Sequence, residues 1–226
     1  MDDGPRNRSL RTLNPNGHLG FAPIKTGSFH RGVAESPDLL AADSGSNDIG
    51  PVPLAIDISS SPREWQEHDL EEMLVAARRL GVPLIIGSAG DTGANSRVDA
   101  FVDMVKALAK KHGLPKFRLG YFYSELTGTE LRRRLDAGEI IEGLDGRAPL
   151  TTADIDATDR IVAMADIHPF IDLLDKGADV IIAGRSSDSA IFAAPAIRQG
   201  YPPALAYYYG KVLECASFCA EPYAGK

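Results

Sequence analysis

"IIAGRSSDSAIFAAPA", residues 181–196, places an unbroken apolar run before a polar turn and then returns at once to small apolar residues. An apolar run without alternation is the pattern of a strand covered on both faces. The alanines at 190, 193, 194 and 196 predict a helix slim enough to lie close to such a strand. Two other stretches share the design: "LIIGSAGDTG", residues 84–93, and "LLAADSGSNDIG", residues 39–50. All three apolar runs end in Gly, Ser and Asp. Parallel α/β sheets bind ligands beyond the carboxyl ends of their strands. The three turns are therefore expected to face one pocket.

The intervening segments supply the helices. In "SPREWQEHDLEEMLVAARRLGVP", residues 61–83, Leu70, Met73, Leu74 and Ala77 form one apolar stripe. Ser61 reads as its N-cap, with Pro62 at the first helical position and Glu64 completing a capping box. Gly81 and Pro83 stop it. Ser96 reads as the cap of a second helix that ends at Gly113. A strand is expected in "KFRLGYFYS", residues 116–124, and a helix after the Thr127/Glu130 box. Residues 139–150 read as an irregular insertion, 159–165 as a strand and 169–176 as a helix. Residues 180–184 read as a strand, and 187–198 and 204–219 as helices. Strand and helix alternating in this way predict a three-layer α/β fold, a mostly parallel sheet with helices on both faces. The topology is Rossmann-like, without a dinucleotide fingerprint. Residues 1–9 read as a flexible N-terminus and 10–226 as a single α/β domain. The final "ASFCAEPYAGK" brings no closing strand, so the domain is expected to be truncated at its C-terminal end.

Bulk properties narrow the function. The 226 residues are 44% hydrophobic, enough for a sizeable core. A net charge of −7 argues against nucleic acid as a partner. No run approaches the roughly 18 apolar residues of a membrane span, and the polar "MDDGPRNRSLRTL" has no signal-peptide core. Two cysteines, Cys215 and Cys219, fit a reducing compartment and read as small buried hydrophobes. The expectation is a cytoplasmic protein.

Candidate chemistry sits in the turns. Gly184, Arg185, Ser186, Ser187 and Asp188 offer amides, hydroxyls and a guanidinium at an expected helix N-terminus, a combination that favours a carboxylate or phosphate. The plainer reading has Ser187 capping the helix and Asp188 complementing its dipole. Gly87, Ser88, Gly90 and Thr92 form a glycine-rich connection where a backbone can approach a ligand, or simply a tight turn. Asp43, Ser44, Gly45, Ser46 and Asp48 form the most polar turn. With Asp91 and Asp188, its carboxylates can meet to hold a divalent metal such as magnesium or manganese, to move protons, or only to cap turns. His18, in "NPNGHLGFAP" (residues 14–23), is an acid/base candidate or a structural histidine. The chain lacks a Walker A loop and the Gly-x-Ser-x-Gly elbow.

Several stretches also resemble the acyclic terpene utilisation (AtuA) family: "GHLGFAP", "DLLAADSGSNDIGP", "IIGSAGDTG", "DATDRIVAMADIHPFI", "ADVIIAGRSSDSAIFAAPAI" and "KVLECASFCAEP". The resemblance runs from about Leu10 to the last residue. It implies an enzyme-like protein acting on acyl-CoA or small carboxylate metabolites in the use of citronellol- and geraniol-type terpenes. It transfers no catalytic set.

The combined expectation is a catabolic enzyme domain for an anionic small molecule, with hydration, lyase or isomerisation chemistry. His18, Asp43, Asp48 and Asp91 would move protons, and the amides of the Gly87 and Gly184 turns would join Arg185 and the serines at the anion. The alternatives are a non-catalytic metabolite-binding subunit of a larger complex and a metal-dependent hydrolase. The aromatic run Tyr207–Tyr209 and Phe218 fit a homo-oligomer or a partner subunit.

Overall fold

The computed structural model describes residues 9–45 and 49–215. In chain order they form β1 (Thr12–Leu13), α1 (Thr26–Ala34), β2 (Leu39–Gly45), α2 (Val52–Ala55), α3 (Arg63–Leu80), β3 (Leu84–Asp91) and α4 (Asn95–Lys111). There follow β4 (Leu119–Phe122), β5 (Glu125–Leu126), α5 (Gly128–Asp136), α6 (Thr152–Asp156) and β6 (Ile161–Val162). The last elements are α7 (Ile167–Asp175), β7 (Val180–Ala183), α8 (Ala190–Arg198) and α9 (Pro203–Glu214). The main sheet has the order β1-β2-β3-β7-β4, and every pairing in it is parallel.

The central strands are buried along their whole length, because successive side chains enter different cores. Leu40, Ala42, Leu84, Ile86, Val180 and Ile182 join Leu70, Met73 and Leu74 of α3 and Phe101 and Val105 of α4. Leu39, Ala41, Ile85, Ile181 and Ala183 join Phe170 and Leu174 of α7 and Ile191 and Phe192 of α8. A residue exposed on neither side has no reason to be polar, which explains why these strands show no alternation. Ala193 and Ala196 meet Ala206 of α9 in a third cluster, so the small residues of α8 serve close packing.

The structure revises several expected boundaries. β3 runs to Asp91, so the glycine-rich connection expected from Gly87 onward is largely strand. The helix expected from Ser187 begins at Ala190. The strand expected over 159–165 shrinks to β6, which pairs antiparallel with β5 outside the main sheet. The place beside β7 belongs to β4. Ser61 is not an N-cap, since α3 begins after Pro62 without a side-chain cap. Ser96 lies inside α4 and donates to Asp57 instead. Gly81 ends α3 at φ 69°, as expected of a left-handed C-cap. Cys215, expected to be buried, is exposed at the end of α9. Cys219 and Phe218 lie outside the described residues, and the helix expected over 204–219 spans Pro203–Glu214. Among the described residues no helix is long and apolar enough to cross a membrane.

Candidate functional site

Because β2, β3 and β7 are neighbours, their carboxyl ends lie side by side. The register slips between Asp43 and Gly45, so that Gly45 stands opposite Asp91. A Cβ on Gly45 would lie 2.5 Å from the Asp91 carbonyl oxygen. On the other flank, the amide of Arg185 donates to the Gly93 carbonyl (3.1 Å). Ser88 Oγ donates to the Ser186 carbonyl (3.2 Å) and accepts from the Ser186 amide (3.3 Å). The three polar turns thus form one continuous rim.

At its centre is Asp91, fully buried and held at φ 73°. Its Oδ1 lies 2.7 Å from His18 Nε2 and accepts from Ser61 Oγ at 2.9 Å. Its Oδ2 accepts from Ser59 Oγ (2.7 Å), Ser60 Oγ (2.9 Å) and the Ser61 amide (3.0 Å), and also from the Ser60 amide. Burial alone would raise the carboxyl pKa. The hydrogen bonds from His18, Ser59 and Ser61 outweigh it and hold the group well below the usual range. Asp91 is therefore a fixed anion, and a poor base. Its acceptor at Nε2 leaves the lone pair of a neutral His18 on Nδ1.

His18 is carried by an ordered loop. Asp69 of α3, completely buried, accepts from Asn16 Nδ2 (2.9 Å), the Gly20 amide (3.0 Å) and the Ile24 amide (2.7 Å). Gly20 packs so tightly on α3 that a Cβ would meet Gln66 Cγ at 2.4 Å. On the strand side, the Leu19 amide donates to the Asp43 carbonyl (2.8 Å), and Ser44 Oγ to the Leu19 carbonyl (3.4 Å).

The second group is Asp43, Arg185 and Asp188. Asp43 is 2% exposed and Arg185 5% exposed, a depth at which an unpaired charge is costly. Arg185 Nη2 stands 3.7 Å from Asp188 Oδ1, too far for a good hydrogen bond. Burial and the neighbouring Asp188 carboxyl push the pKa of Asp43 well up, against the pull of Arg185. Burial raises Asp188 too, with Arg185 opposing and Glu214 of α9 adding to the rise. Gly87 is glycine because a Cβ would come within 2.6 Å of Asp43 Oδ1 and 2.9 Å of Ile191 Cγ2.

Asp91 of the first group and Arg185 of the second line a common cavity of about 280 Å³ with Thr92, and Ile49, Pro51 and Leu54 form its apolar wall. A second cavity, about 380 Å³, is lined by Ser59, Ser61, Gly90 and Arg97 among others. The main-chain amides of the third turn are committed within the protein: Gly184 to Phe122, Arg185 to Gly93, and Ser187 to Ala165. Ser187 Oγ pairs with Ser189 Oγ at 3.3 Å, and Ser186 Oγ is buried without a partner. Thr92 Oγ1 accepts from the Ala94 amide. With the Gly184, Arg185, Ser186 and Ser187 amides engaged within the protein, the Arg185 side chain is the charged donor of this turn. Among the described residues no group of three or more His, Cys, Asp or Glu side chains is placed to hold a metal ion. Ser46 and Asp48 lie outside the described residues.

Ser59, Ser60 and Asp69 escaped the sequence reading, and Ser61 was read as a cap. The run Ser59-Ser60-Ser61 was visible, but its partner lies about 30 residues away in the chain. Asp69 looks like any polar residue of an amphipathic helix. A family model described as "Acyclic terpene utilisation family protein AtuA" matches residues 17–226. No curated protein and no solved structure matches the chain.

Proposed function

Since the chain belongs to the acyclic terpene utilisation (AtuA) family, we propose that the rim of its sheet is the active site of a catabolic enzyme domain for carboxylate or acyl-CoA metabolites. The carrying observation is the juxtaposition, at one cavity, of the Arg185 guanidinium with the Asp91 carboxylate that holds His18. Arg185 has charge to offer an anionic group, because its nearest carboxylate is only loosely engaged. The apolar wall of Ile49, Pro51 and Leu54 suits a hydrocarbon chain. His18 takes or gives the proton. Asp91 fixes its tautomer and stabilises the imidazolium that forms, the part a buried carboxylate plays behind a catalytic histidine. The shifted carboxyl groups of Asp43, Asp91 and Asp188, all at the carboxyl ends of neighbouring strands, support a catalytic site over a passive binding surface. Hydration, elimination of water and isomerisation all need this proton movement and an anchored anion.

The test is a thermal-shift screen of acyl-CoA thioesters and small carboxylates. A ligand at a hundred times its dissociation constant stabilises by about 2.7 kcal/mol, a rise of roughly 5–10 °C for a chain of this size. The rise should appear with one ligand class, vanish in Arg185→Ala and survive in His18→Gln. A rise undiminished in a folded Arg185→Ala variant would remove Arg185 from the site.

A further inference from the structure

Asp43 Oδ1 and Asp188 Oδ1 are both buried and both lack a hydrogen-bond donor, Arg185 Nη2 stands 3.7 Å from Asp188 Oδ1, and each carboxyl group acts on the titration of the other. Two ionised carboxylates are acceptors only, and neither can satisfy the other. A single proton resolves both deficits, since it makes one oxygen a donor and leaves the other an acceptor. The surroundings favour that state. Asp43 lies against Gly87 and the Ile191 side chain, which bring it no charge. Arg185 is the cation nearest the pair, and Lys211 and Glu214 of α9 act on Asp188 with opposite signs.

We propose that Asp43 and Asp188 hold one proton between them, and that this pair sets the charge of the Arg185 anion site. The proposal rests on the reading of Arg185 given above and adds a regulation to it. With both carboxylates ionised, the three side chains carry a net negative charge and repel an incoming anion. With the shared proton they are neutral, and Arg185 keeps its attraction. Asp188 is 36% exposed through its side chain and is the end through which the proton exchanges with solvent. Arrival of an anion at Arg185 then favours a further proton on the pair, so binding takes up protons and weakens as pH rises through the pair's titration.

Infrared spectroscopy of the ligand-free protein tests the shared proton directly. At neutral pH the spectrum should hold a carboxylic-acid carbonyl band that shifts in D2O. The band should disappear in Asp43→Asn and persist in Asp103→Asn, which alters an exposed carboxylate of α4. Absence of the band from the wild-type protein would overturn the proposal, as would a band unchanged in both Asp43→Asn and Asp188→Asn. Should the Asn variants not fold, a 13C titration of the wild-type aspartate carboxyls decides. One carboxyl titrating far above the rest supports the pair, and full ionisation of every aspartate by neutral pH sinks it. Neither measurement uses a ligand, so its result is independent of the Arg185 binding test.

Discussion

Nε2 of His18 lies 2.7 Å from Oδ1 of Asp91, and both side chains are buried although 73 positions separate them in the chain. Asp91 has no bulk water to solvate it, so its charge depends on the donors supplied by His18 and the Ser59–Ser61 segment.

Asp91→Asn should therefore destabilise the fold by on the order of 3 kcal/mol, through donors left facing an amide that satisfies fewer of them. The pH dependence has a definite sign. The folded-state pKa is depressed, so the contribution is present above the unfolded value of about 3.9 and is lost as pH falls through the folded pKa. Urea unfolding from neutral into acid pH should show a steep acid limb in the wild type and a shallower one in Asp91→Asn.

Asp43 has the opposite sign. Its folded pKa is raised, so the native state keeps a proton that the unfolded chain releases. Its contribution is complete below the unfolded value and declines as pH rises toward the folded pKa. Asp43→Asn removes this decline, and its stability relative to wild type should improve with increasing pH. A variant that loses ground steadily as pH rises would contradict the assignment.

Asp69→Ala leaves the donors of Asn16, Gly20 and Ile24 without their acceptor and should cost about 2–4 kcal/mol. The loop bearing His18 should loosen before the sheet does. Hydrogen exchange at the Gly20 and Ile24 amides should accelerate in the variant, with the β2 and β3 amides still protected.

Gly93→Ala tests the closeness of the rim. Gly93 has φ +66°, and a Cβ there would fall 2.2 Å from the Arg185 amide nitrogen. Strain and clash act together, and a loss of more than about 2 kcal/mol is expected from chemical denaturation. Gly113→Ala, at φ +58° with open space around it, should cost less, because only the backbone term remains.

The parallel three-layer fold was legible because burial leaves a direct trace in composition. Leu39–Ala42, Leu84–Ile86 and Val180–Ala183 are apolar without interruption, as only a strand covered on both faces requires. Helix α3 was legible from its stripe, and Gly81 marked its end. Helix starts were less legible. Ser61 and Ser96 have the chemistry of caps, but Asp91 and Asp57 compete for their hydroxyls and win. The Asp159–Ala165 strand was only partly borne out, as β6, because a β-rich run does not reveal how many of its residues find a strand partner.

The sequence by itself determined the class of fold, the order of the central elements and the end of the sheet where polar turns gather, since hydrophobic periodicity and turn chemistry are local properties. It also carried the family motifs. Only the tertiary structure decided which polar groups meet: His18 and Ser59–Ser61 with Asp91, Asp69 with the histidine loop, and Arg185 with Asp188. Hydrogen bonds and charge coupling act over a few ångströms of space, and the segments that share that space are brought together by strand order and register.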